Sequence, residues 1–184
     1  HYSLIHDFKK YKEAFFKVIS QDLSEQELLQ LISDNPQLIK FAKEQTEIMK
    51  IAAVTKEPSS IAFIEDPSET IQFLAVSKNA YTIKYIKNPT KYVQWYTVVK
   101  NPTLIQYIKN PDKIIQMEAV TRDAEAIRFI KNPDKEVQLL AVSRNGDVLQ
   151  YIENPDEEVK FKAVIKTPRA IRFIQNPSKE IQLA

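Results

Sequence analysis

Asn132-Pro133-Asp134-Lys135-Glu136-Val137-Gln138-Leu139-Leu140-Ala141-Val142-Ser143-Arg144 reads as one amphipathic helix carrying its own start signal. Val137, Ala141 and Val142 stand at i, i+4 and i+5, which puts them on a single helical face. Asn accepts a hydrogen bond at an N-cap, and proline at N1 has no amide hydrogen to leave unsatisfied. The pair Asn132-Pro133 therefore predicts a helix beginning at the proline. A strand is excluded, because a proline in every unit and spacings of four and five do not suit a pleated sheet.

The same grammar recurs along the chain. Pro67, Pro89, Pro111, Pro133, Pro155 and Pro177 are 22 residues apart without exception. At that period Ile71, Val93, Ile115, Val137, Val159 and Ile181 form one apolar column. Ala75, Thr97, Ala119, Ala141 and Ala163 form a second, and Val76, Val98, Val120, Val142 and Val164 a third. Each unit closes with a nine-residue part such as Asn101 to Lys109, opened by similar cap chemistry, with Pro36, Pro58, Pro102 and Pro168 at its register positions. All ten prolines are thus expected at helix starts, six on long helices and four on short, 3-10-like ones.

Neither helix can bury its apolar face alone, so neighbouring units must stack. The chain is predicted to be an all-α solenoid of 22-residue two-helix repeats. Residues 1–43 hold an N-terminal capping helix and a degenerate first repeat. Residues 44–184 hold the array, as 44–65, 66–87, 88–109, 110–131, 132–153, 154–175 and a partial 176–184, in one continuous domain. The stop at Ala184, midway through a long helix, and the missing initiator Met point to a piece cut from a longer array or to a disordered tail left out.

Composition removes most alternatives. The 184 residues include one glycine, where an average chain of this length has about 13. No Gly-rich phosphate cradle or dinucleotide fingerprint is possible. The absence of cysteine excludes disulfides and thiolate metal sites, and the only histidines are His1 and His6. Carboxylates follow the caps and repeat with the array, so no pair is set apart for acid–base work. No catalytic residue, cofactor or metal is expected, and the chain is read as a non-enzyme. It has no apolar run long enough for a membrane span and no secretory segment, so a cytoplasmic location without membrane or small-molecule partners is expected.

Three surfaces are candidates for a partner. The apolar column Phe73, Trp95, Met117, Leu139 and Phe161 lies off the core arc, either packing between repeats or forming an exposed stripe. The unit 88–109 deviates most, with Tyr92, Trp95 and Tyr96, residue types that concentrate at interface hot spots. These seven are the protein-binding candidates. Lys56, Lys78, Lys100, Arg122, Arg144 and Lys166 form a basic column able to track a phosphate backbone. The same residues end the long helices, where cations offset the negative pole, and the net charge is only +2. Gln72, Gln94, Gln116, Gln138 and Gln182, interrupted by Lys160, are read as a hydrogen-bond ladder between units, and the ring column Phe63, Tyr85, Tyr107, Phe129, Tyr151 and Phe173 as a packed spine with Tyr hydroxyls at its wet edge.

The Asn-Pro-x-x-x-Val-x-x-x-Ala-Val pattern is similar to leucine-rich repeat variants. The run Val137-Gln138-Leu139-Leu140-Ala141-Val142-Ser143-Arg144-Asn145-Gly146, ending in Leu149-Gln150-Tyr151, resembles an uncharacterised repeat family of bacterial, phage and giant-virus proteins more closely. The resemblance spans about residues 44–184. It implies a right-handed α-solenoid alternating α and 3-10 helices, and it carries over no catalytic residue. The expected function is a protein-binding scaffold or inhibitor, with a host factor as the partner of a phage protein acting in the host cytoplasm. The alternative is nucleic-acid backbone binding through the Lys/Arg column.

Overall fold

A computed structural model describes residues 23–184 and, before them, Ala14, a buried helical residue. The expected capping helix over residues 1–21 otherwise lies outside the described residues. Long α-helices run Glu25–Asp34, Glu47–Lys56, Glu69–Lys78, Lys91–Lys100, Lys113–Arg122, Lys135–Arg144 and Glu157–Lys166, followed by the short Lys179–Gln182. Between them lie 3-10 helices at Pro36–Phe41, Pro58–Phe63, Ala80–Tyr85, Pro102–Tyr107, Ala124–Phe129, Gly146–Tyr151 and Pro168–Phe173. No strand occurs among the described residues. The protein is an all-α helical-repeat chain, as its period predicts.

The chain divides into two compact units, His1–Val93 and Gln94–Ala184. In the first unit Glu25–Asp34, Glu47–Lys56 and Glu69–Lys78 pack in turn, in the second the long helices from Lys113–Arg122 onward do the same, and within each unit every 3-10 helix packs on the next 3-10 helix. The apolar columns fill the space between these two layers. Ile71, Ala75, Val76 and Ile83 are buried in the first unit; Val137, Ala141, Val142 and Leu149 are their counterparts in the second. A 3-10 helix six residues long exceeds the usual run of about three or four, and burial of this face sustains it.

One residue joins the two helices of a repeat. The backbone N–H of Asn145 donates to the Ala141 carbonyl at 3.0 Å, closing the long helix. Its side-chain oxygen accepts from Asp147 N–H at 3.0 Å, opening the 3-10 helix. Asn79, Asn101 and Asp123 serve in the same way. Pro36, Pro58, Pro102 and Pro168 sit in the first turn of their 3-10 helices, as expected.

The six strictly spaced prolines occupy a different place from the one predicted. The caps of the long helices are Ser68, Asp112, Asp156 and Ser178, each the residue after the proline, whose side chains accept from the N–H three residues on. Pro67, Pro111, Pro155 and Pro177 therefore precede the cap. The residue before the proline does not cap the helix but turns the chain. Asn110, Asn132, Asn154 and Asn176 hold φ near +50°, and Asp66 holds 42°. The chain must reverse after each 3-10 helix, and Asn and Asp tolerate this left-handed backbone better than other non-glycine residues.

The ring column is not a buried spine. Ile83 and Ile86 are buried, while Tyr85 between them is 43% exposed, and Tyr107 is 41% exposed. Phe63, Phe129, Tyr151 and Phe173 are half-buried. The 3-10 helix turns once every three residues, so positions three apart share a face and the ring falls on the neighbouring one.

The lone glycine is a close-approach site. A Cβ on Gly146 would stand 2.1 Å from the Ala163 carbonyl oxygen and 2.8 Å from Thr167 Cβ. Its N–H donates to Thr167 Oγ1 at 3.1 Å, tying two repeats together. Gly146→Ala is expected to lower stability by about 1–3 kcal/mol, the cost of overpacking a tight contact, read as a lower urea midpoint. Asn132→Ala is expected to cost about 1 kcal/mol and Asn132→Gly close to nothing, because Ala keeps the Cβ but loses the short polar side chain that lets Asn tolerate positive φ, while Gly has no Cβ to strain.

Candidate functional site

The outward face of the long helices carries the apolar column and a second one the period also contains. In the first unit, Ile48 is 61% and Tyr92 48% exposed, and Ile51 is exposed on the same helix as Ile48. Phe73 is half-buried, its ring 5.4 Å from that of Tyr92 at a 40° tilt. In the second unit, Trp95 is 39% and Ile114 72% exposed. Tyr96, Met117, Leu139 and Phe161 are half-buried. Within the predicted column Trp95 stands out and the others are half-buried, while Tyr92 stands out in the second column.

Ile48 and Ile114 are not among the candidates that the sequence pattern marks. They share a column with Thr70, Tyr92, Glu136, Glu158 and Glu180. This is the second position of each long helix, where the positive pole favours an acid. Glutamate occupies it in the last three repeats, so the apolar residues of the earlier ones forgo that stabilisation. The contrast within one column is the signal that could have found them.

The amide column forms part of the expected ladder. Gln72 Nε2 donates to the Pro67 carbonyl at 2.9 Å, and its Oε1 accepts from Thr90 N–H of the following repeat at 3.0 Å. Gln116, Gln138 and Gln182 each donate to the carbonyl of the proline five residues earlier.

Charges at the two ends of the long helices behave differently. At the N-terminal ends of the second unit they pair across repeats. Lys113 Nζ lies 2.5 Å from Glu136, and Lys135 Nζ lies 2.9 Å from Asp156 and 2.6 Å from Glu158. Hydrogen bonds to Asp156 and then Glu158 push the Lys135 ammonium above its ordinary value. Arg169 forms an ion pair with Asp147, and that hydrogen bond, more than longer-range charge, holds the Asp147 carboxyl below the usual aspartate range.

At the C-terminal ends, Lys56, Lys78, Lys100, Arg122, Arg144 and Lys166 are each the last residue of a long helix, and all are exposed. Arg122 Nε meets Glu118 at 2.5 Å, and Lys100 Nζ lies 5.3 Å from the Tyr96 ring centroid. In the second unit Arg122, Arg144 and Lys166 converge on one groove of about 550 Å³, shared with Asp123 and Glu125. Among the described residues no cluster of three or more His, Asp or Glu could hold a metal ion, and no helix is long and apolar enough to cross a membrane. Compared with protein-family models, curated proteins and solved structures, the chain matches none.

The ion pairs set the acid response. Asp147 and Asp156 have folded values below their ordinary one, so their contribution is complete above that ordinary value and is lost as pH falls through the lowered one. The urea midpoint is expected to drop between pH 7 and about pH 3. Asp147→Asn is expected to reduce that drop, and an unchanged acid slope would show that the pair contributes nothing.

Proposed function

We propose that this protein is a non-catalytic interaction scaffold or inhibitor that holds another protein on the outward face of its long helices. The reading is carried by the exposure of Ile114 in the same unit as the exposed Trp95. An apolar side chain at the acid-favouring end of a helix, open to water, is a standing cost of roughly 0.3–1 kcal/mol in forgone electrostatics, before exposure itself is counted. A partner that covers the position removes that cost. Trp and Tyr supply large, rigid contact area at small entropic loss. The stacked helices keep the surface pre-organised, so little ordering opposes binding. The resemblance to repeat proteins of phages and giant viruses supports a narrower form, in which the partner is a host protein met in the host cytoplasm.

A second reading is favoured by the groove where Arg122, Arg144 and Lys166 converge, which suits the phosphate backbone of a nucleic acid. The two differ in the residues they need. Immobilised protein exposed to host lysate should retain a partner that Trp95→Ala reduces at least about tenfold, with the helical circular-dichroism spectrum unchanged. If Trp95→Ala retains that partner in full while Arg144→Glu with Lys166→Glu abolishes a salt-sensitive interaction, the phosphate reading replaces it.

A further inference from the structure

The ends of the 3-10 helices carry a surface that neither reading uses. The ring that closes each of these helices follows a cation in four repeats: Lys40-Phe41, Lys84-Tyr85, Arg128-Phe129 and Arg172-Phe173. Each cation lies over its neighbour's ring, at 4.7, 4.8, 5.1 and 4.6 Å from the centroid. Two of them also reach the ring of the following repeat: Lys40 lies 5.3 Å from Phe63, and Arg128 lies 5.3 Å from Tyr151. In the second unit a single guanidinium therefore bridges two half-exposed rings one repeat apart.

A groove lies beside each bridge. That of the second unit, about 440 Å³, is lined by Arg128, Phe129, Lys131, Gln138, Tyr151 and Glu153 among others. The first unit repeats the register twice, with grooves of about 400 Å³ at Lys40, Lys43 and Phe63 and about 550 Å³ at Tyr85 and Lys87. Among the described residues Arg128 and Lys131 enter no ion pair, unlike the lysines at the helix N-termini. Arg172 faces Asp147 only at longer range. Lys43, Lys87, Lys109 and Lys131 share a column with Glu65, Glu153 and Gln175, and Glu153 lines the same groove as Arg128 and Lys131.

We infer that this face of the second unit binds single-stranded nucleic acid, bases stacking on Phe129, Tyr151 and the Arg128 plane and phosphates pairing with Lys131. Planar rings beside cations that enter no ion pair suit a ligand that is both flat and anionic. An acidic peptide offers the charge without the planar faces, and a duplex hides its base faces within its own stack.

The test is fluorescence anisotropy of the full chain with a labelled oligothymidylate of about 12 nucleotides at low salt, a site size suited to a short platform. The expected result is saturable binding, weaker for duplex of equal length and falling with added salt. Tyr151→Leu keeps an apolar side chain but removes the ring, and should weaken binding at least about fivefold with helicity unchanged. Tyr151→Phe should bind like the parent, and Arg128→Ala should weaken binding to a similar degree as Tyr151→Leu. No saturable binding, or Tyr151→Leu binding as the parent does, would overturn the inference. So would equal affinity for duplex or polyglutamate, or a loss confined to Arg144→Glu with Lys166→Glu.

Discussion

A ten-residue helix and a six-residue 3-10 helix have too little apolar surface to leave water alone. Everything else in this protein follows from the need of each repeat to lean on the next. Val137, Ala141 and Val142 are buried because another long helix covers them, and Leu149 because another 3-10 helix does. The small Ala column brings the layers close, and the contact at Gly146 is the extreme case. There the carbonyl of Ala163 in the next repeat takes the space where a side chain would stand.

Polar chemistry is arranged so that this stacking leaves few buried groups unmet. Asn145 closes one helix and opens the next, serving orphan groups on both. Gln72 satisfies backbone in its own repeat and in the one after it. The N-terminal ends of the long helices in the second unit are stitched by lysine–carboxylate pairs, while their C-terminal ends keep exposed cations against the negative pole. The surface thereby acquires charged edges of unlike character, one internally compensated and one facing solvent.

A repeat protein has few constraints on what its exposed columns contain, because the core columns alone hold the stack. That freedom explains why Ile48, Tyr92 and Ile114 share a column with three glutamates. It also explains the rings at the ends of the 3-10 helices. Their neighbours in sequence are buried and specify the fold, and the rings themselves stand partly exposed. A protein partner on the long helices and a single strand on the 3-10 helix ends would occupy different columns of the same array.

The 22-residue beat, the helix pair in each repeat and the long-helix columns of Val137, Ala141 and Val142 were readable from residue types, whereas the buried columns of Ile86 and Leu104 on the 3-10 side were not marked. Side-chain periodicity is a local property, and only a helical spacing brings Val137, Ala141 and Val142 together. The placement of the Asn-Pro pair was not readable, since Asn suits both a cap and a left-handed turn. Which one it serves depends on where the chain must reverse against its neighbour. The exposure of the ring column and of Trp95 was likewise settled by packing. An aromatic residue off the core arc is buried or open according to how closely the adjacent helix approaches, and that distance belongs to the assembled stack.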